Sequence, residues 1–271
     1  MSLKFRSFGS IPWMVFGLLL TAAFLVAPDL MAQDGAAAPA EDTAPATKSV
    51  LDTLISGGPW MIPIGVLSIG TITLYVFNAL QLMKGRWVPK TLSHQILDLM
   101  SQVRVRSTIE VSAASPSFLG RMMATALPNV DATDPESLGR EGVEDAIGEF
   151  TTRETSGQLV WIQYLSVIAQ LAPMMGLLGT VVGMVGAFET LGTGKGSDPS
   201  KLAGDISVAL LTTLGGLVVA MPSIFGYYFF RNKLNANIKD AHKLASDAMD
   251  AAIATVNAEQ QMAKVPEGLA E

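Results

Sequence analysis

Two threonines are the residues most able to do chemistry in an otherwise unreactive stretch of chain. Thr180 follows Gly176 and Gly179 and precedes Gly183; Thr213 follows Ala209 and precedes Gly216 and Ala220. A hydroxyl offers one donor and two acceptor positions. Two hydroxyls among small apolar residues can line a polar path, or they can bond back to their own helices and serve packing alone. Pro173 and Pro222 lie nearby. Each removes a backbone donor, so the carbonyls of Ala169 and Val218 lose their usual helical partner. Such groups turn to a neighbour, a water or a moving helix, although either proline also reads as a simple kink. No acidic, basic or histidine side chain occurs in residues 155–188 or 206–230. Intramembrane ionisable groups mark proton relays, so a proton path here needs a titrating group from another chain.

The elements that must position these hydroxyls follow from the charge pattern. Of 271 residues only 15% are charged, against roughly 25% in soluble domains. Three runs, 53–83, 155–188 and 206–230, carry no charge. Each exceeds the roughly 20 residues that cross a hydrocarbon core as a helix, and none alternates with the period of barrel strands. The expected fold class is an all-α membrane protein: three long transmembrane helices with a helical cytoplasmic domain, extending below the membrane. Lys84, Arg86 and Lys90 follow the first run, and Arg231, Lys233 and Lys239 follow the third. The positive-inside rule makes those ends cytoplasmic.

The N-terminus carries Lys4 and Arg6 ahead of an apolar stretch, 11–26, and then small or polar residues. That is the layout of a secretory signal with a cut after Ala32; uncut, it is a fourth, short span. The expected organisation is a signal peptide 1–32, a flexible periplasmic tail 33–58, spans at 59–83, 157–188 and 206–230, a cytoplasmic helical domain 84–156, a periplasmic loop 189–205 and a cytoplasmic helical tail 231–271. The protein is expected in the bacterial inner membrane, with the mature N-terminus periplasmic and the C-terminus cytoplasmic.

Helical periodicity continues outside the spans. Leu92, Ile96, Leu99 and Met100 share a face. Asp134 before Pro135 reads as a helix start, from which a helix runs through Val143, Ile147 and Phe150 into the second span. Leu234, Ile238, Ala241, Ala245, Ala248 and Ala252 form a narrow seam of mostly small residues. Within the second span Ala169, Ala172, Gly176, Thr180, Gly183 and Ala187 fall on one face, with Gly179 beside it. Ala209, Thr213, Gly216, Ala220 and Ser223 do the same in the third. Small faces let membrane helices approach closely, so Gly176, Gly179, Gly183 and Gly216 are candidate packing positions and Pro173 and Pro222 candidate kinks.

Other signals point away from catalysis. Gly192–Ser197 lacks the spacing of a phosphate loop and follows no strand. His94 and His242 have no second ligand at metal spacing and read as solvated helix residues. Gln163 and Gln170 read as interhelical hydrogen-bonders, and Trp60 and Trp161 as interface residues. There is no cysteine, and the net charge of −6 gives no reason to expect nucleic acid. No cofactor or metal is expected, and no enzymatic activity.

The run Ala172-Pro173 to Met184, with Gly176-Leu-Leu-Gly-Thr180-Val-Val-Gly183, resembles the signature of the MotA/TolQ/ExbB proton-channel family, ExbB-like branch. Ala209-Leu-Leu-Thr-Thr213-Leu-Gly-Gly through Pro222 is similar to its second signature. The resemblance covers roughly residues 56–250. It implies a pentameric ring whose last two spans line a pore, and an ExbD/TolR-like single-span partner whose membrane aspartate faces Thr180 and Thr213. It also implies a TonB-like protein that proton flow energises for outer-membrane uptake. The sequence departs from the family where ExbB and TolQ proteins often carry a glutamate: Val208 stands there, with Asp205 one turn earlier. A TolQ-like role in envelope integrity and division fits the same motifs. A non-conducting membrane scaffold would need only the small-residue stripes.

Overall fold

In the computed structural model, residues 58–131, 133, 137–192 and 199–263 are described. The signal segment 1–32, the tail that follows it, Asp134–Pro135 and most of the Gly192–Ser197 turn lie outside them. No strand occurs among the described residues. Three helices are long and apolar enough to cross a membrane: α1 (Met61–Gln81), α6 (Arg140–Gly192) and α7 (Pro199–Ala263). Between α1 and α6 lie α2 (Lys84–Trp87), α3 (Lys90–Ser101), α4 (Val105–Ala113), α5 (Phe118–Ala126) and a short 3₁₀ turn, Leu127–Asn129. At 1.5 Å per residue, the 53 residues of α6 span about 80 Å. That far exceeds a hydrocarbon core of about 30 Å.

The chain divides into two compact units. The first comprises residues 58–74, 164–192 and 199–227. Gly58, with φ of +71°, sets the turn that enters α1, where the Met61 amide donates to the Gly58 carbonyl at 3.1 Å. Its core is Met61, Ile64, Ile168, Ala172, Val219 and Ala220. Its outer faces are apolar as well. Ile62 is 70% exposed and Ile69 68%, and Leu177, Val181, Leu210 and Leu217 are also exposed. A contiguous apolar surface on this scale is costly in water and is the normal exterior of a helix in lipid.

The second unit comprises residues 75–131, 133, 137–163 and 228–263. Its centre is aromatic and thioether-rich. Trp87 stacks on Phe118 at 4.6 Å, and Phe118 meets Phe150 at 5.5 Å. Ile96, Met100, Leu119, Met122 and Met123 are buried around them. Leu92, Ile96 and Met100 turn inward as their spacing predicts. Ser117 caps α5 by accepting from the Gly120 amide at 3.1 Å. The end of α1 is closed by side chains. The Trp87 indole donates to the Gln81 carbonyl at 3.1 Å, and the Asn237 amide donates to the Leu82 carbonyl at 3.3 Å. Exposed ion pairs join the periphery, Lys84 with Asp240 and Arg121 with Glu154. Arg140 meets both Asp250 and Glu144.

Several local expectations change. The helix expected to begin at Pro135 begins at Arg140, because Leu138 and Gly139 adopt φ of +49° and +65°, which no right-handed helix accommodates. The α7 seam contains Asn237 in place of Ile238. Leu234, Ala241, Ala245, Ala248 and Ala252 are fully buried and Asn237 is 2% exposed, whereas Ile238 is only half-buried. The polar residue turns inward because an unpaired carbonyl at the end of α1 awaits it. His242 is not simply solvated: its Nε2 lies 2.8 Å from Thr151 Oγ1. The threonine proton is already given to the Ile147 carbonyl at 2.7 Å, so the imidazole donates. Burial holds the His242 pKa below the usual histidine value. Gln170 bonds its own helix, at Ser166, rather than another. The segment expected as a loop over 189–205 is helical up to Gly192 and again from Pro199.

Candidate functional site

Within the first unit α6 and α7 run antiparallel in direct backbone contact. A methyl group placed on Gly216 would clash with the Ala172 carbonyl oxygen. One on Gly176 would stand 2.9 Å from the Thr212 carbonyl oxygen, one on Gly179 2.7 Å from Thr212 Oγ1, and one on Gly183 3.0 Å from the Ala209 methyl. All four glycines singled out by the sequence therefore lie at the contact, and each is small because the opposing helix occupies the space a side chain would fill. Both prolines lie inside unbroken helices.

The threonines are placed differently from their expected positions on the packing faces. Gly179 and Thr212 occupy the buried seam, with Thr212 1% exposed. Thr180 and Thr213 are half-buried at its rim. The Thr180 hydroxyl donates to the Leu177 carbonyl at 2.7 Å. The Thr213 hydroxyl donates across the interface to the Gly176 carbonyl at 3.2 Å. Thr212 Oγ1 lies 2.7 Å from the Ala209 carbonyl and 3.3 Å from that of Gly176. It has one proton, and the shorter contact takes it, leaving the Gly176 carbonyl to Thr213. Thr212 went unnoticed in the sequence, although 209, 212 and 216 satisfy helical spacing as well as 209, 213 and 216.

A second hydroxyl contact ties α1 to α7. Thr71 Oγ1 and Ser223 Oγ are buried and 2.9 Å apart. Each hydroxyl also faces a carbonyl of its own helix, Ser223 that of Val219 at 2.7 Å and Thr71 that of Leu67 at 3.0 Å, and either can donate across the pair. Val208 packs toward the turn before α1, with its methyl 3.6 Å from where a Gly58 side chain would begin. Five residues separate it from Thr213, about 140° around the helix. Asp205 is half-buried on the same helix, about 12 Å along the axis from Thr213. Among the described residues no cluster of His, Asp and Glu side chains has the make-up of a metal site.

Three apolar helices, two of them joined backbone to backbone with hydroxyls at the rim of the joint, define an α-helical membrane protein. Residues 112–243 match the family described as the MotA/TolQ/ExbB proton channel family. The chain is 30% identical over 193 residues to a putative biopolymer transport protein ExbB-like 1 of Synechocystis, covering 68% of this chain and 70% of that protein. It is 36% identical over 104 residues to a biopolymer transport protein ExbB of Xanthomonas campestris, covering 38% of this chain and 41% of the relative. It is 30% identical over 132 residues to a motility protein A of Treponema phagedenis, covering 48% and 47%. The chain thus spans about two fifths of the length of the Xanthomonas protein. It belongs to the MotA/TolQ/ExbB proton channel family.

Proposed function

We propose that this chain is the ring-forming, ExbB-like subunit of an inner-membrane motor that couples proton entry to outer-membrane transport. Two signatures of the family fall on the α6–α7 joint, and relatives named biopolymer transport proteins share much of the chain. The observation that carries the reading is chemical. The joint presents two rim hydroxyls, Thr180 and Thr213, within spans that hold no ionisable side chain. A path of this kind passes protons only when another chain brings a titrating group to it. An ExbD/TolR-like single-span partner with a membrane aspartate has the required chemistry, and a TonB-like protein is the element it would drive. The basic flanks of the first and third spans favour a periplasmic mature N-terminus, a cytoplasmic domain at 84–156 and a cytoplasmic tail at 231–271. The family resemblance supports a pentameric homo-oligomer in membrane lipid. One proton crossing 100 mV releases about 2.3 kcal/mol, comparable to a coupling energy between two protein states, so a work cycle uses several.

The test is reconstitution of the complex, purified with its natural partners, into liposomes carrying an internal pH dye. Proton flux is expected in the wild-type complex and its loss in Thr180→Val and Thr213→Val, with the complex still assembled. Wild-type flux that survives both substitutions would remove the threonines from the path. No flux from any assembly would leave a scaffold.

A further inference from the structure

Gln170 and Ser166 interrupt the apolar outer face of α6. Gln170 is exposed and Ser166 half-buried, among the exposed and apolar Val167, Leu171 and Met174. The Gln170 Nε2 donates to both oxygens of Ser166, the carbonyl and the hydroxyl, each at 3.2 Å. Two groups are left over, the amide oxygen of Gln170 and the hydroxyl proton of Ser166, and neither has a partner among the described residues. One accepts and the other donates, and they lie one helical turn apart on the same side of α6. Hydrocarbon satisfies neither, and an unpaired polar group is strongly disfavoured there. A second copy of the chain offers little better. Gly70 lies beside Ile168 and Gly216 beside Ala172, which fixes the parts of α1 and α7 at this depth. Their outward faces are Val66, Ile69 and Ile72 on α1 and Leu214, Leu217 and Met221 on α7, and the hydroxyl-bearing Ser68 is half-buried.

Water fits both groups at once. It accepts from Ser166, donates to Gln170, and keeps one hydrogen and one lone pair for its neighbours. We infer that Gln170 and Ser166 hold water within the membrane and extend the proton path of α6 from the threonine rim toward the cytoplasm. This rests on the function and orientation proposed above. Around the helix Ser166 and Gln170 stand about 40° and 80° from Thr180, and along the axis about 21 and 15 Å from it, so a single strip of α6 carries all three. Pro173 lies on that strip between them and leaves the Ala169 carbonyl without its helical donor, a further acceptor beside Gln170. A proton reaching the held water from one side departs on that water's other hydrogen, so one enters and one leaves. Neither side chain changes its protonation. Gln170 and Ser166 are positioning residues, which fix where the water sits and which way it points.

The test uses the fact that the chain has no cysteine. Membranes from cells that make the full-length chain with its natural partners carry Gln170→Cys or Leu171→Cys. The probe is a charged methanethiosulfonate, read on this chain by mass spectrometry; it attacks through the thiolate and so needs water at the sulfur. Leu171 lies at the same depth, one residue further on, and faces hydrocarbon. A thiol in lipid has its pKa raised by a unit or more, so Gln170→Cys is expected to react at least about tenfold faster than Leu171→Cys. Equal rates overturn the water site, as does a Gln170→Cys variant that cross-links two copies, which would assign this face to an interface between them. Flux is then measured in liposomes with the purified complex. Gln170→Leu and Ser166→Ala are each expected to lower it about fivefold, the effect of one lost hydrogen bond. Gln170→Asn, which keeps an amide, is expected to recover much of the loss. Should one variant fail to assemble, the other decides. Wild-type flux in the assembled variants overturns the relay and leaves the proposed function in place, whereas a wild-type complex that passes no protons overturns that function itself.

Discussion

Gly176→Ala places a single methyl group where the structure leaves least room for it. The new carbon would stand 2.9 Å from the Thr212 carbonyl oxygen and 3.0 Å from the Thr213 Cα. Both are backbone atoms, so no rotamer change relieves the contact. Moving from 2.9 Å to the 3.4 Å at which ordinary contact begins separates α6 from α7 by about 0.5 Å. The Thr213–Gly176 bond, 3.2 Å in the native protein, then lengthens to about 3.7 Å, beyond hydrogen-bonding range. Overpacking of this kind costs about 1–3 kcal/mol and the lost bond about 1 kcal/mol. Alanine's better helix propensity returns about 1 kcal/mol. The net expectation is a loss of about 1–3 kcal/mol. Gly186→Ala makes the same chemical change where nothing lies within 4 Å, and is expected at or above wild-type stability. Unfolding of the purified full chain in detergent, followed by circular dichroism against added dodecyl sulfate, compares the two. Gly176→Ala unfolding at the same midpoint as Gly186→Ala would refute direct backbone contact as the reason for glycine at 176.

Two further expectations concern the second unit. Asn237→Ala strands the Leu82 carbonyl at the end of α1 and is expected to cost about 1–3 kcal/mol; a denaturation midpoint equal to that of Asn235→Ala, an exposed neighbour on the same helix, would remove the cap from the account. For His242 the sign follows from burial. The folded pKa lies below the unfolded value near 6.5, so the unfolded chain takes up the proton first as pH falls. Stability attributable to neutral His242 is full above the unfolded value, declines as pH drops through it, and levels off below the folded value. Melting temperatures of wild type and His242→Gln between pH 7.5 and 5.5 should therefore converge toward the acid end. Parallel curves would show that the imidazole takes up its proton equally in the folded and unfolded states, and would remove the effect of burial.

What the sequence could show depended on how strongly each pattern was overdetermined. The three apolar runs were legible because no other arrangement satisfies the backbone of so long an uncharged segment in lipid; α6 and α7 cover the second and third, and α1 covers residues 61–81 of the first. The inward turn of Leu92, Ile96 and Met100 was equally clear from spacing. The start of α6 was not, because the Asp-Pro signal is local and the positive φ values of Leu138 and Gly139 act after it. Asn237 was hidden for a different reason. Periodicity ranks residues by polarity and prefers Ile238, while the structure places the amide inside to meet a carbonyl more than 150 positions away in sequence. No local pattern contains that partner.

The adjacent threonines of α7 show where such reasoning stops. Thr212 and Thr213 are the same residue type, and both continue a small-residue stripe from Ala209 to Gly216. Adjacent positions differ by about 100° around the helix, and only the opposing surface decides which enters the joint. Gly179 and Gly176 open a hollow at the level of Thr212, which fills it and turns its proton back to Ala209. Thr213 is thereby left at the rim with the Gly176 carbonyl within reach. Exchanging the two roles would need the glycines of α6 shifted by one position, since a side chain at 179 would exclude Thr212. Which hydroxyl stays at the rim is thus selected by the glycine spacing of the neighbouring helix rather than by any property of the threonine itself.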